Sequence, residues 1–401
     1  MPVASNSADC FDLVLVGGGL QNGLIALSAL QHQPSCRIVM VEAAAELGGN
    51  HTWCVHARDV PEGARAWFEP LVVQRWDGYD VSFPDLERSL RSSYAVVSSE
   101  RFARVVRGAL GQHPQCTLLT GVRVTALSAH EAELADGRRL RARLVVDARG
   151  PDPRAHAGRC GYQKFLGLEL RLRAPHGLAR PILMDARCEQ TDGFRFFYVL
   201  PLAADRLLVE ETRFSLGAEL ASAAARNAVV TYTARWGEIA EVVREEHGVL
   251  PMPWSLPAAP AQPDAALRAG YCGGFFHPAT GYSLPAAVRV AEAIGQSLRD
   301  AYGSRQDALL GTRWQRFVRD HRTQSSYALQ LNRLLFTGFA ETDMWGVLSR
   351  FYRLSEPLIE RFYAQSSSVA DRARILIGRP PRGFSLRRAL SARATAQVGV
   401  A

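Results

Sequence analysis

Apolar residues dominate positions 11–16, stop at Gly17, Gly18 and Gly19, and return with helical spacing over 20–30; a second apolar run, 37–41, ends at Glu42. The order of strand, glycine turn, helix, strand and acid predicts a βαβ unit with parallel strands. Positions 144–146 form another short apolar run, closed by Asp147 and a turn at Arg149-Gly150-Pro151. From about Gly161 the pattern changes. Positions 165–173 and 194–211 alternate or run apolar at strand spacing, broken by turn residues at 175–177, 192–193 and 203–205. This predicts an antiparallel sheet inserted into the first unit. Positions 218–246 read as helix, and 250–263 as extended or looped because of their prolines. A glycine-dense stretch at 270–281 runs into a helix expected over 284–301. Helix is expected again over 313–377, a segment carrying many aromatics. The tail from Gly378 on, rich in Arg, Ala, Ser and Pro, is expected to be partly disordered. No internal repeat is present.

With 401 residues, 47% of them apolar and 21% charged, the chain has ordinary globular composition and a length that suits two or three domains. Its formal charge is +8, and Lys164 is its only lysine, so the positive charge is nearly all arginine. Arginine-rich coding accounts for this; attraction to anionic lipid is the functional reading. No helix-turn-helix, zinc-finger or RNA-recognition pattern supports nucleic acid as a partner. The seven cysteines are scattered, odd in number and without a C-x-x-C pair, which argues against a disulfide framework and a structural metal. No signal peptide is evident, and no stretch reaches the roughly 18 apolar residues of a membrane span. The expectation is a cytoplasmic protein, soluble or peripherally attached to a membrane.

The sequence DLVLVGGGLQNG (12–23) carries a dinucleotide fingerprint. Gly17 allows the tight turn, and Gly19 lets the backbone approach a pyrophosphate lying at the positive end of the next helix. Asn22 replaces the usual third glycine, so close packing is expected to rest on Gly23. Glu42, 25 residues after Gly17, suits a carboxylate that binds ribose hydroxyls. Three further elements favour FAD over NAD: Leu47-Gly48-Gly49 after the acid, the strand end Asp147-Ala148-Arg149-Gly150, and GYCGGFFHPATG (270–281) running into a helix. The late loop has Gly273 or Gly274 where most flavin monooxygenases carry Asp, which weakens a monooxygenase reading.

Seven stretches together resemble the bacterial lycopene β-cyclases: VGGGLQNGLIAL (16–27), GGNHTWCVH (48–56), VVDARG (145–150), GYQKFLGLEL (161–170), LLVEET (207–212), FFHPATGYSLPAA (275–287) and RFYRLSEPLIERFYA (350–364). The resemblance spans roughly positions 12–381; Cys54 stands where the family usually has Ser. It implies an α/β fold: a Rossmann-like FAD-binding domain of the flavin monooxygenase type, an inserted antiparallel-sheet substrate domain and a helical C-terminal part. The expected boundaries are 1–160 with 265–310 for the nucleotide domain, 161–264 for the substrate domain, 311–380 for a helical cap and 381–401 for a basic tail. The implied reaction is proton-initiated, redox-neutral cyclisation of the ψ-ends of lycopene to β-rings, through γ-carotene to β-carotene. It uses reduced FAD, with NAD(P)H as reductant.

Such chemistry needs a carboxylic acid kept neutral in an apolar pocket. Glu210 and Glu211 end an apolar strand, where alternation points them to opposite faces; the family motif places the acid at Glu210. His277 is a candidate for deprotonation or flavin bonding, with His51 and His56 behind it. Phe275, Phe276, Trp53 and Tyr198 are candidate aromatic faces for a cation. The expected cofactor set is Gly17, Gly18, Gly19, Gln21, Asn22, Glu42, Gly49, Asp147, Gly273, Gly281 and Tyr282. Aromatics among arginines at 345–363, and Phe384, Leu386 and Leu390 in the tail, suit a lipid interface at the inner face of the cell membrane, where lycopene resides. The alternatives on the same fold are a flavin-dependent reductase or monooxygenase of an isoprenoid, a monocyclase acting on lycopene or neurosporene, and a non-catalytic flavin- or carotenoid-binding protein.

Overall fold

The strand Cys10–Val16 is fully buried from Leu13 onward and lies at the centre of a parallel array. In this computed structural model, residues 10–150, 159–255, 264–302, 310–378, 381–385 and 387–388 are described. Cys10–Val16 pairs in parallel with Ile38–Glu42 on one side and Arg139–Asp147 on the other. Thr117–Thr120 and Leu267–Arg268 extend the parallel part, and Glu131–Leu134 and Val124–Leu127 add an antiparallel flank. The crossover between the first two strands is the helix Leu20–His32, as the sequence predicts. It packs against Leu284–Ala301, the helix expected after the late glycine loop. Glu292 ties this layer together, accepting from Trp67 Nε1 at 3.1 Å and bonding His32 Nε2 at 2.8 Å.

A second seven-stranded sheet runs in the order Ile239–Pro253, Cys160–Leu172, Arg206–Ser215, Phe194–Ala203, Ile182–Asp185, Tyr79–Phe83 and Leu86–Leu90. All its neighbours are antiparallel except Ile182–Asp185 with Tyr79–Phe83. Residues 79–90, placed in the nucleotide domain by the sequence pattern, therefore complete the substrate sheet. The helix expected over 218–246 is shorter: Ser222–Thr233, then a turn at Gly237 (φ +133°), then the 15-residue strand Ile239–Pro253. Propensity yields here to thirteen cross-strand partners on Cys160–Leu172. The loop expected from 250 begins later, because Pro251 and Pro253 lie within this strand. It is an edge strand, where a missing N–H costs no ladder bond.

One face of the second sheet, with Leu166, Leu168, Phe197 and Val209, packs on the helix Ser222–Thr233. The opposite face is covered by the C-terminal helices Thr312–Gly338, Trp345–Phe351 and Glu356–Tyr363, with Phe336, Phe351, Tyr352 and Phe362 buried between them. The aromatics read as a lipid interface thus point inward, and their neighbouring arginines are engaged: Arg350 donates to the Ile377 carbonyl at 2.5 Å, Arg353 pairs with Asp85 and Arg361 with Asp371. Phe384 lies 5.4 Å from the ring of Phe339. Pro151, residues 256–263, Leu386, Leu390 and most of the basic tail lie outside the described residues. Among the described residues no helix is long and apolar enough to cross a membrane.

Candidate active site

At the end of the first strand Gly17 turns the chain with φ +97°, and a Cβ there would stand 2.9 Å from the Ala148 carbonyl oxygen. Gly18 N–H donates to Glu42 Oε2 at 2.5 Å and Ala44 N–H to Glu42 Oε1 at 2.7 Å, so the carboxylate is held against the turn. Gly19 caps the following helix without a side-chain bond, and nothing lies within 4 Å of where its Cβ would be. An open, Cβ-free helix N-terminus beside a positioned acid fits the pyrophosphate and ribose of a dinucleotide. The residues present therefore fit FAD.

Not every residue expected at the cofactor faces that cradle. Asn22 donates to the Val16 and Gly17 carbonyls at 2.9 and 2.8 Å, clamping the turn. Gln21 donates to Ala287 O at 3.1 Å and accepts from Gly270 N–H at 3.2 Å, linking the first helix to the late loop. Gly23 abuts the ring of Phe102 on the helix Ser99–Gly111, so the close packing is helix on helix. Asp147 is bound by Arg149 at 2.8 and 2.9 Å. Gly273 sits in a tight turn over Arg268, and Gly49 adjoins the His51 ring. Gly281 and Tyr282 line a large cavity, with the Tyr282 hydroxyl reaching Cys54 O and Asp59.

That cavity, of about 570 Å³, lies between the inner face of the second sheet, the loop through Gly281 and the C-terminal helices. Its wall is mostly apolar and aromatic, with Trp53, Phe196, Tyr198, Phe339, Phe351 and Tyr363 among the lining residues. Two carboxyl groups stand on this wall. Gly167 pairs with Glu210 on one neighbouring strand and with Glu246 on the other. A Cβ on residue 167 would stand 2.7 Å from Glu210 Cγ and 3.3 Å from Glu246 Cγ, so the two side chains converge over the missing one. Burial, reinforced by the adjacent Glu246 carboxylate, pushes the Glu210 carboxyl well above the usual range. Glu246 is anchored: its Oε2 accepts from Arg244 at 2.6 Å and from the Thr52 hydroxyl at 3.0 Å. Arg244 also donates to Asn50 at 2.8 Å, Thr52 at 2.7 Å and Glu169 at 3.2 Å.

Beside Glu210, the Tyr198 hydroxyl lies 2.9 Å from Cys54 Sγ and 3.1 Å from the Tyr94 hydroxyl. His56 lines the cavity too, its ring centroid 4.8 Å from Tyr94 and 4.9 Å from Tyr363. Burial pulls the His56 imidazole down to about 3, so it is neutral. Burial likewise pulls down the imidazole of His51, another lining residue, and the wall next to Glu210 is rich in electron-dense rings.

Strand alternation separates the two adjacent glutamates as expected. Glu211 turns to the opposite face, 1% exposed, and accepts from Arg195 at 2.6 Å and Arg213 at 2.7 Å. It has no place at the cavity. His277 has none either: its Nδ1 accepts from Ala279 N–H at 3.2 Å and its ring packs on Phe362 at 4.6 Å, which makes it an anchor of the late loop. Trp53 and Tyr198 line the cavity, whereas Phe275 packs on Trp314 and Phe317, and Phe276 on Tyr271. Glu246 and Arg244 escape a reading of the segment as helix. The alternation in VVREEHGVL (242–250), with Arg244, Glu246 and Gly248 at every second position, is the signal that places them on one strand face.

The family model described as "Lycopene cyclase protein" matches residues 12–389. The chain belongs to the lycopene cyclase family. It is 43% identical over 373 residues to a lycopene β-cyclase of Pseudescherichia vulneris, covering 92% of this chain and 94% of that one. It is 38% identical over 374 residues to a lycopene β-cyclase of a Paracoccus species, again covering 92% and 94%. Among solved structures, a geranylgeranyl bacteriochlorophyll reductase-like protein of Thermoplasma acidophilum aligns with a TM-score of 0.60 at 13% identity, covering 98% of each chain. A probable FAD-dependent monooxygenase of Pseudomonas aeruginosa aligns at 0.58 and 17%, covering 81% of this chain and 96% of its own. These likenesses identify the fold of this lycopene cyclase family member as a flavoprotein type.

Proposed function

We propose that this protein is a lycopene β-cyclase, an isomerase that closes the ψ-ends of lycopene to β-rings by proton transfer from Glu210. The observation that carries the reading is one buried acid, held protonated by its surroundings, on the wall of a long apolar cavity in a lycopene cyclase family fold. Glu210 donates its proton to the terminal alkene: the O–H bond breaks, a C–H bond forms, and a tertiary cation remains. The next alkene attacks that cation, and a ring proton passes to the carboxylate that Glu210 has become, which completes the β-ring and restores the acid. One proton enters and one leaves, so substrate and product are isomers. Tyr94, Tyr198, Trp53 and Tyr363 offer ring faces to the cationic stage and contain no strong nucleophile to trap it. The dry wall keeps water away from the cation. The Gly17–Gly19 turn and Glu42 would hold FAD, which in the form reduced by NAD(P)H would supply negative charge to stabilise the cationic stage without net oxidation.

Substrate entry accords with the far end of the cavity, where Leu376, Pro381 and Phe384 form the lining. Leu376 and its neighbour Ile377 are 50% and 61% exposed there. An apolar rim beside Arg350 suits peripheral contact with a bilayer at the inner face of the cell membrane. The test is expression in a lycopene-accumulating bacterium, with Glu210→Gln run in parallel. Ringed isomers of lycopene from the wild type and unconverted lycopene from the variant are expected. Unchanged lycopene in both, with flavin-loaded protein present, would refute the reading. A product of altered mass would point to a reductase or monooxygenase.

A further inference from the structure

Glu210 and Glu246 share one wall and converge over one glycine gap, yet their surroundings differ. Glu246 has a guanidinium at 2.6 Å and a hydroxyl at 3.0 Å. Glu210 has the Glu246 carboxyl, the Tyr198 face and apolar neighbours, and among the described residues forms no ion pair. Two carboxylates in contact within an apolar wall resist double ionisation, so the pair retains one proton over a wide range. The cation fixes which member carries it. Arg244 is itself braced by Glu169, Asn50 and Thr52, so its charge cannot swing towards Glu210.

We propose that Glu246, held by Arg244, is a positioning residue: it stays ionised, and by doing so assigns the shared proton to Glu210 and aims it into the cavity. This rests on Glu210 being the acid of the cyclisation. Glu246 forms and breaks no bond to the substrate. The charged and titratable groups around Glu210 are Glu246 and Arg244 from the edge strand and Glu169 from the central one. Tyr198 faces it from the strand beyond, and Cys54 and His51 from the segment opposite. Of these, Glu246 is the one whose side chain converges on that of Glu210 over the Gly167 gap.

The experiment is the pH profile of kcat/KM for lycopene in liposomes with the flavin-loaded full chain, together with the infrared carboxyl band of the protein titrated without substrate. Glu246→Gln removes the neighbouring charge. The alkaline limb of activity should then fall to lower pH by about one unit or more, with the rate on the acid side largely retained. The infrared band that Glu210→Gln abolishes should lose its proton at correspondingly lower pH. Arg244→Gln should act in the opposite sense on the limb, while lowering the maximal rate as the proton moves to Glu246. Glu246→Asp, which keeps the charge, should hold the limb near that of the wild type. A uniform drop in rate for Glu246→Gln with an unmoved limb and an unmoved carboxyl band would overturn the proposal. If Glu246→Gln does not fold, the Arg244→Gln and Glu246→Asp limbs decide it. A wild type that makes no ring would sink the cyclase reading alone, because the infrared titration still reports on the pair.

Discussion

At the scale of single residues, Glu210 is buried on the cavity wall and held neutral there, the state that the proposed proton transfer to an alkene requires. Replacing it by Gln should lower cyclisation by about 10²–10⁴-fold, the range contributed by a positioned general acid, measured as ringed product per unit time. The stability consequence has a definite sign. A carboxyl whose folded pKa is raised is no burden while protonated, and weakens the fold as pH climbs past its unfolded value towards the folded one. Glu210→Gln should therefore match the wild type in melting temperature below the ordinary carboxyl value of 4.5 and exceed it increasingly as pH rises above that value. Equal melting temperatures across the whole range would contradict the raised pKa. Strand alternation splits Glu210 from Glu211, so only one can face the site, and it is the resemblance to the family that singles out Glu210. Glu246 was invisible because its role depends on a neighbour 36 positions earlier that no local pattern announces.

Among the elements, the strands around Gly167 and the first βαβ unit carry the site. The βαβ unit was legible because its glycines, helix and terminal acid are contiguous and mutually constraining. The edge strand Ile239–Pro253 was not, since two prolines and a run of charges imitate a helix followed by a loop, and only pairing with Cys160–Leu172 settles it. Asn22 and Gln21 were read as cofactor contacts from their place in the fingerprint, but their bonds go to backbone. Gly167→Ala places a methyl 2.7 Å from Glu210 Cγ and should displace the acid, lowering activity at least tenfold at a stability cost of about 1–3 kcal/mol by thermal melting. Glu42→Ala removes the acid bound to Gly18 and should weaken flavin retention by roughly 10–100-fold, followed by fluorescence titration of the apoprotein.

On the scale of the whole molecule, the cavity lining runs from the loop through Gly281, past Glu210, to Leu376, Pro381 and Phe384 beside exposed apolar residues, an arrangement that accords with the proposed entry of a long hydrocarbon. Leu376→Asp with Ile377→Asp should leave melting temperature nearly unchanged, because both side chains are at least half exposed. The pair should reduce turnover of bilayer-embedded lycopene while sparing turnover of detergent-dispersed lycopene. Equal losses in both assays would remove the rim from the entry route. The substrate sheet has a further consequence through its last two strands, Tyr79–Phe83 and Leu86–Leu90, which arrive from the middle of the nucleotide-binding half. A fragment beginning at residue 159 would expose Ile182–Asp185 as a raw, pairing-competent edge. Exchanging the contiguous segment 159–255 between family members would therefore leave this sheet incomplete: an intact exchange has to carry residues 79–90 as well, as two separate segments of the coding sequence.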